Sequence, residues 1–335
     1  MSEALSVTTI IRTAAAPARA RLLERALASV FAQEGVNSQC VVVVNGACPD
    51  PAILARLQND GRLTCIVEPQ AGKAEATAIG RLAVRTEFFT FLDDDDEFLP
   101  GGLALRARVL RANPELACVA TNGEYVRDGR VEHVFRKSTR IAKDYAGLVL
   151  RHRNWLASCG GTFRSAQVGI EYFLDLPPHR EWTLIAYRLA SHLPVRFLDV
   201  ATYRVHSTPQ SQSKTQTYVE SGVEVARAMM AWNTRARRIP AILRCENDAY
   251  RLACSHHRVT GDIARAWHYY RKSIMSPFGV TFLPYAALLL ARERRPVPDL
   301  FARRARVPGP NRAMPLWLLA ILAIGILLEE PPPQW

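Results

Sequence analysis

Apolar runs and their spacing divide the chain into regimes. Residues 6–11 (SVTTII) are a β-branched run, and residues 21–33 then repeat apolar side chains at Leu22, Leu23, Ala26, Leu27, Val30 and Phe31. That pattern predicts a short strand followed by a helix with one apolar face. Residues 40–44 (CVVVV) are an unbroken apolar run that halts at Asn45-Gly46, a turn signal. A second helix over 51–58, a third strand over 63–67, a third helix over 74–84 with small packing residues and a fourth strand over 88–92 (FFTFL) come next. Strands that are apolar throughout, rather than alternating, are covered on both faces, so residues 1–100 read as a doubly wound α/β fold with a parallel sheet.

Beyond Pro100 the pattern loosens into a helix over 103–112, strands over 116–121 and 123–126, and a turn at Asp128-Gly129. A small-residue loop runs from Ser158 to Gly161, and a further helix covers 182–190. This half is mixed. From about 218 to 294 helical spacing dominates, and no internal repeat is visible. The expected organisation is a sheet domain over 1–215, in halves 1–100 and 101–215, a helical region over 216–295, and a basic linker with an apolar tail over 296–335.

Composition adds compartment and partners. Apolar residues make up 49% of the chain and charged residues 22%, enough to bury a core and incompatible with wholesale disorder. The seven cysteines are scattered, odd in number and without a CxxC pair, which argues against a zinc site and a disulfide framework and for a reducing cytoplasm. The opening MSEALSVTT carries no secretory pattern. Net charge is +12, and Arg292, Arg294, Arg295, Arg303, Arg304, Arg306 and Arg312 crowd ahead of an uncharged apolar run over 314–328. Basic residues beside an apolar segment fit the cytoplasmic face of a membrane better than nucleic acid, so a membrane surface is the expected partner and nucleic acid is not. The run is shorter than the roughly 20 residues a spanning helix needs.

Chemistry concentrates at Asp93-Asp94-Asp95-Asp96, directly after the fourth apolar strand. Ligands of a doubly wound sheet gather at the carboxyl ends of its strands. Adjacent carboxylates repel, and a hard divalent ion, Mn²⁺ or Mg²⁺, would relieve them while taking substrate phosphates as further ligands.

Four segments in order resemble family 2 glycosyltransferases of the GT-A fold over about residues 6–213: SVTTIIRT with LLERALASVFAQ, VVVVNG, GKAEATAIG, and FFTFLDDDDEFLPGGL. The resemblance implies a GT-A type, mostly parallel sheet with a mixed acceptor-side half and a helical C-terminal region. It implies an inverting transfer from a nucleotide sugar, a UDP-sugar for preference, to a glycan or lipid-linked acceptor. By position, Arg12, Thr13 and Asn45 would line the base and ribose pocket, Lys73 would lie beside the nucleotide, and Asp93 and Asp94 would sit near the ribose. Asp95 would be the metal ligand of the DXD motif. Two departures are Asn45, where the family often has Asp, and Ala78, where Asn is common.

An acceptor hydroxyl needs a general base. Glu181-Trp182, at a helix start, resembles the family's acidic residue plus Trp, with Asp175 as rival. Tyr203-Arg204-Val205-His206, followed by Ser211 and Ser213, resembles the late YRxH segment and makes His206 a candidate metal ligand or diphosphate contact. Gly160 and Gly161 would face the acceptor. A nucleotidyltransferase is the alternative enzyme, but residues 10–20 (IIRTAAAPARA) lack the glycines of a phosphate loop. A non-catalytic membrane-bound scaffold would keep nucleotide binding without turnover.

Overall fold

The computed structural model describes residues 4–127, 130–135, 144–206 and 216–290. The arginine cluster, the apolar run over 314–328, the Asp128-Gly129 turn, Ser211 and Ser213 lie outside the described residues. Two compact units are present, one of Met1–Lys214 with Arg227–Arg238, the other of Thr215–Ala226 with Ile239–Trp335.

The first unit begins with β1 (Ser6–Thr13), α1 (Ala20–Phe31), β2 (Asn37–Val44), α2 (Pro51–Asn59), β3 (Leu63–Val67), α3 (Lys73–Leu82) and β4 (Phe88–Asp93). β1 pairs in parallel with β2 on one side and β4 on the other, and β3 extends the parallel set beyond β2. Every residue of β1 from Val7 to Thr13 is buried, Thr8, Thr9, Arg12 and Thr13 included, as befits a strand paired on both sides.

Alternate residues of these strands feed two cores. Val42 and Val44 join Leu23, Ala26 and Val30 of α1 and Leu57 of α2, whereas Val41 and Val43 meet Ala76 of α3. Helices therefore cover both faces. Gly80 of α3 lies so close to β1 that a Cβ there would stand 2.3 Å from Ile10 Cγ2.

The second half of this unit contains β5 (Glu97–Phe98), α4 (Gly102–Ala112), β6 (Cys118–Arg127), β7 (Arg130–His133), α5 (Tyr145–Val149), β8 (Gly161–Arg164), α6 (Glu181–His192) and β9 (Val195–His206). Among the described residues nine strands form one sheet in the order β3-β2-β1-β4-β8-β6-β9-β5, with β7 paired to β6. β8 joins antiparallel to both β4 and β6, and β9 runs parallel to β6. The doubly wound sheet with a mixed far half is the architecture expected from the sequence.

Differences lie in that far half. The segments 116–121 and 123–126 are one strand, β6, with irregular register around Asn122. Gly123 stands where the Tyr203 ring crosses the strand, 2.2 Å from where a Cβ would be. Residues of the expected small-residue loop divide between a 3-10 turn, Ser158–Gly160, and β8.

A cluster of Phe89, Phe91, Phe163 and Phe173, each nearly or fully buried, fills the α3 face between β4 and β8, and Trp182 of α6 packs on Phe91 with centroids 5.1 Å apart. This cluster fixes where α6 starts. In the second unit α8 (Ile239–Thr260), α9 (Ile263–Ile274) and α10 (Ala286–Leu290) enclose Cys254, Ala266, Tyr270, Phe282 and Leu289. The helix α7 (Gln216–Trp232) contributes residues to both units. Among the described residues no helix is long and apolar enough to cross a membrane.

Candidate active site

β1 and β4 end side by side, so that Arg12 pairs in register with Asp93. The Arg12 guanidinium is buried and donates to Asp93 Oδ1 at 3.0 Å and to Thr77 Oγ1 at 2.8 Å. It also stands 3.7 Å from Glu181 Oε1. Lys73, at the start of α3, reaches the same Glu181 oxygen at 3.1 Å. One buried arginine thus lies between the acid at the end of β4 and the acid at the start of α6. Asp175, the rival base, is exposed in a left-handed turn, and its charge acts on Arg188 rather than on this cluster.

Each of the four aspartates has a different setting. Burial alone would raise the Asp93 carboxyl, but Arg12, Lys73 and the Ser158 hydroxyl, 2.6 Å from Oδ2, hold it below the usual range. Asp94 is buried and accepts from Thr13 Oγ1 at 2.6 Å and from Arg19 Nε at 3.1 and 3.0 Å. Asp95 is raised by burial and by the charge of Asp93, against an ion pair with Arg19 at 3.1 Å. Asp96 is raised further by burial and by Asp93 and Asp95, and accepts from the His206 backbone at 3.1 Å.

These settings test the fit of a divalent ion. Among the described residues no group of three or more His, Cys, Asp or Glu side chains is arranged to hold a metal. Mg²⁺ and Mn²⁺ need only one or two carboxylates when phosphates and waters supply the rest. Asp95 is a partly exposed carboxylate at the strand end with less positive charge around it than its burial demands, so the donor set fits one protein ligand and a phosphate-bound ion.

His206, the other candidate ligand, faces a neighbouring acid. Its Nε2 lies 3.0 Å from Glu97 Oε1, and Arg204 bridges Glu97 and Glu124 at 3.2 and 2.8 Å. Asn45 follows β2 at half exposure, its backbone N–H on Thr13 O at 2.9 Å, and Gly46 brings that loop against the Ala14 backbone. Gly160 and Gly161 are both buried. The space a side chain would need is taken by Tyr203 at Gly160 and by Leu156 and Phe163 at Gly161.

Several site residues have no signal in the sequence pattern. Arg19 lies on a 3-10 turn, Pro17–Arg19, and its grip on Asp94 holds its own proton more tightly than usual. A cation at the start of a helix opposes the helix dipole, and that misplacement is the one hint available. Ser158 and Cys159 approach Asp93 and Asp96 from a turn more than 60 residues away. Arg106 of α4, fully buried, holds this turn by donating to the Cys159 carbonyl at 2.9 Å while its Nε bonds Thr202 Oγ1 at 2.9 Å. Two residues beside the site take left-handed backbone without being glycine, Ala15 at φ 49° and Arg180 at φ 58°. Such strain costs on the order of 1–3 kcal/mol and collects where a site fixes its geometry.

Comparison with known proteins finds the same fold. The first 349 residues of S. aureus TarS in complex with UDP-GlcNAc superpose with a TM-score of 0.54 at 14% identity, covering 84% of this chain and 92% of that one. The mannosyltransferase PcManGT from Pyrobaculum calidifontis, in complex with GDP-Man and Mn²⁺, gives 0.54 at 15% identity, covering 98% and 88%. No curated protein matches the sequence. Residues 16–166, which carry α1 through β8 and all four aspartates, match the family description "Glycosyl transferase family 2".

Proposed function

We propose that the protein is a metal-dependent, inverting glycosyltransferase that moves a sugar from a nucleoside-diphosphate sugar, a UDP-sugar for preference, to an acceptor hydroxyl. The observation that carries this reading is the junction of Arg12, Lys73, Asp93 and Glu181 at the adjoining ends of β1, α3, β4 and α6. An acid for the nucleotide and a base for the acceptor are there linked by cations suited to a diphosphate.

In this reading Asp93, pinned by Arg12 and Ser158, presents its oxygens to the ribose hydroxyls, and Asn45 and Thr13 bound the nucleoside side. Asp95 would hold Mn²⁺ or Mg²⁺, which when bound would supply charge neutralisation for the departing nucleoside diphosphate. Glu181 accepts the proton of the attacking hydroxyl. Arg12 and Lys73 face the same Glu181 oxygen at 3.7 and 3.1 Å and hold that carboxylate in place beside the diphosphate side of the junction. Trp182, set on the Phe cluster, holds that acid at the first turn of α6. The UDP-GlcNAc of TarS and the GDP-Man and Mn²⁺ of PcManGT support a nucleotide sugar and a divalent ion. A cell-envelope glycan or glycolipid made at the cytoplasmic face of a membrane is the product class that the basic and apolar C-terminal stretches support.

Calorimetry with UDP and GDP in the presence of Mn²⁺, beside a transfer assay over a panel of nucleotide sugars, tests the assignment. Asp95→Ala is expected to abolish Mn²⁺-dependent nucleotide binding. Glu181→Gln is expected to retain it while transfer falls by about 10²–10⁴, the usual contribution of a general base. Normal transfer by both variants refutes the roles given to them.

A further inference from the structure

Arg19 is held on the acidic tip by a grip that does not depend on Asp95. Its Nε reaches both oxygens of Asp94 at 3.0 and 3.1 Å, its Nη2 also bonds Asp94, and the same Nη2 lies 3.1 Å from Asp95 Oδ2. Thr13 fixes Asp94 from the other side at 2.6 Å. Asp94 is therefore satisfied within the protein, and the contact to Asp95 is an extra reach of an already anchored guanidinium. A cation on Asp95 Oδ2 has to displace that nitrogen, and one on Oδ1 still lies close to a fixed positive charge.

We infer, on the reading given above, that Arg19 is a positioning residue that makes divalent-ion and nucleotide binding interdependent. A bare ion at Asp95 meets the guanidinium with nothing to offset the repulsion. An ion that arrives with a diphosphate brings the negative charge that offsets both cations. Arg19 thus discourages the ion alone and favours the ion with its nucleotide. By linkage, the nucleotide must then tighten the ion by the factor with which the ion tightens the nucleotide.

The test is calorimetry on the full chain with MnCl₂ alone, with UDP or GDP alone in chelator, and with MnCl₂ at saturating nucleotide. Wild type is compared with Arg19→Ala and with Arg19→Gln, a neutral side chain of similar reach, and melting curves without ligand report folding. Both variants are expected to bind Mn²⁺ alone more tightly than wild type, on the order of tenfold, while the tightening of Mn²⁺ by nucleotide shrinks by a similar factor. A purely structural role for Arg19 would weaken every ligand together. Equal or weaker affinity of both variants for Mn²⁺ alone overturns the inference while leaving the functional reading intact. Wild type that binds neither nucleotide in the presence of Mn²⁺ overturns that reading and the inference with it.

Discussion

Ser158 contributes one hydroxyl, and the charge it faces sets its worth. Its bond to Asp93 Oδ2, at 2.6 Å, is made to a carboxylate that the protein keeps ionised. Hydrogen bonds to charged groups contribute about 1.5–3 kcal/mol, against about 1 for neutral pairs. Ser158→Ala is therefore expected to lose about that much stability in urea at pH 7. Asp93 is lowered in the folded state, so its stabilising share is present above its unfolded value, about 3.9, and fades as pH falls through the folded one. The difference between wild type and Ser158→Ala should accordingly shrink below pH 4, and a constant difference across pH would contradict an ionised partner. The candidate acids are readable from the chain, since four aspartates at the end of an apolar run stand out and Glu181 opens a helix. Their partners are not. Arg19 is 75 residues from Asp94, Ser158 is 65 from Asp93, and spacing along a chain carries no information about such pairings.

At the scale of elements, α3 shows why small residues recur where a helix crosses a sheet. A methyl group at Gly80 gains about 1 kcal/mol of helix propensity. It also meets Ile10 Cγ2 at 2.3 Å, and Ile10 is fully buried on the central strand with no room to retreat. Overpacking costs about 1–3 kcal/mol, so Gly80→Ala is expected to be net destabilising. Gly61→Ala, with nothing within 4 Å, supplies the control that should melt like wild type. β2 and β4 are legible because burial on both faces leaves a nearly continuous apolar run. β5 has two residues and β8 four, too few for a period, and β9 mixes buried with half-exposed positions along VRFLDVATYRVH. Arg106 is another long-range device, a buried charge on α4 that binds β9 and the turn before β8 at once. Arg106→Ala is expected to cost about 3 kcal/mol or more, the loss typical of a buried network deprived of its charged member, measurable as the unfolding midpoint.

Across the molecule, all seven cysteines are free, and their surroundings grade their reactivity. Cys48 is exposed, Cys65 is half-buried, and burial pushes the thiols of Cys40, Cys245 and Cys254 up to about 12. A thiol reagent at pH 8 should label Cys48 rapidly and the buried five only on unfolding, which mass spectrometry of the labelled protein counts directly. More than two fast sites would contradict the packing of the cores. In the first unit, Arg12 divides a single positive charge between Asp93 and Glu181 and is clamped in place by Thr77. Whatever pulls on one acid changes how much of that charge the other receives, so the two carboxylates are weighed against each other like two pans on a fixed beam.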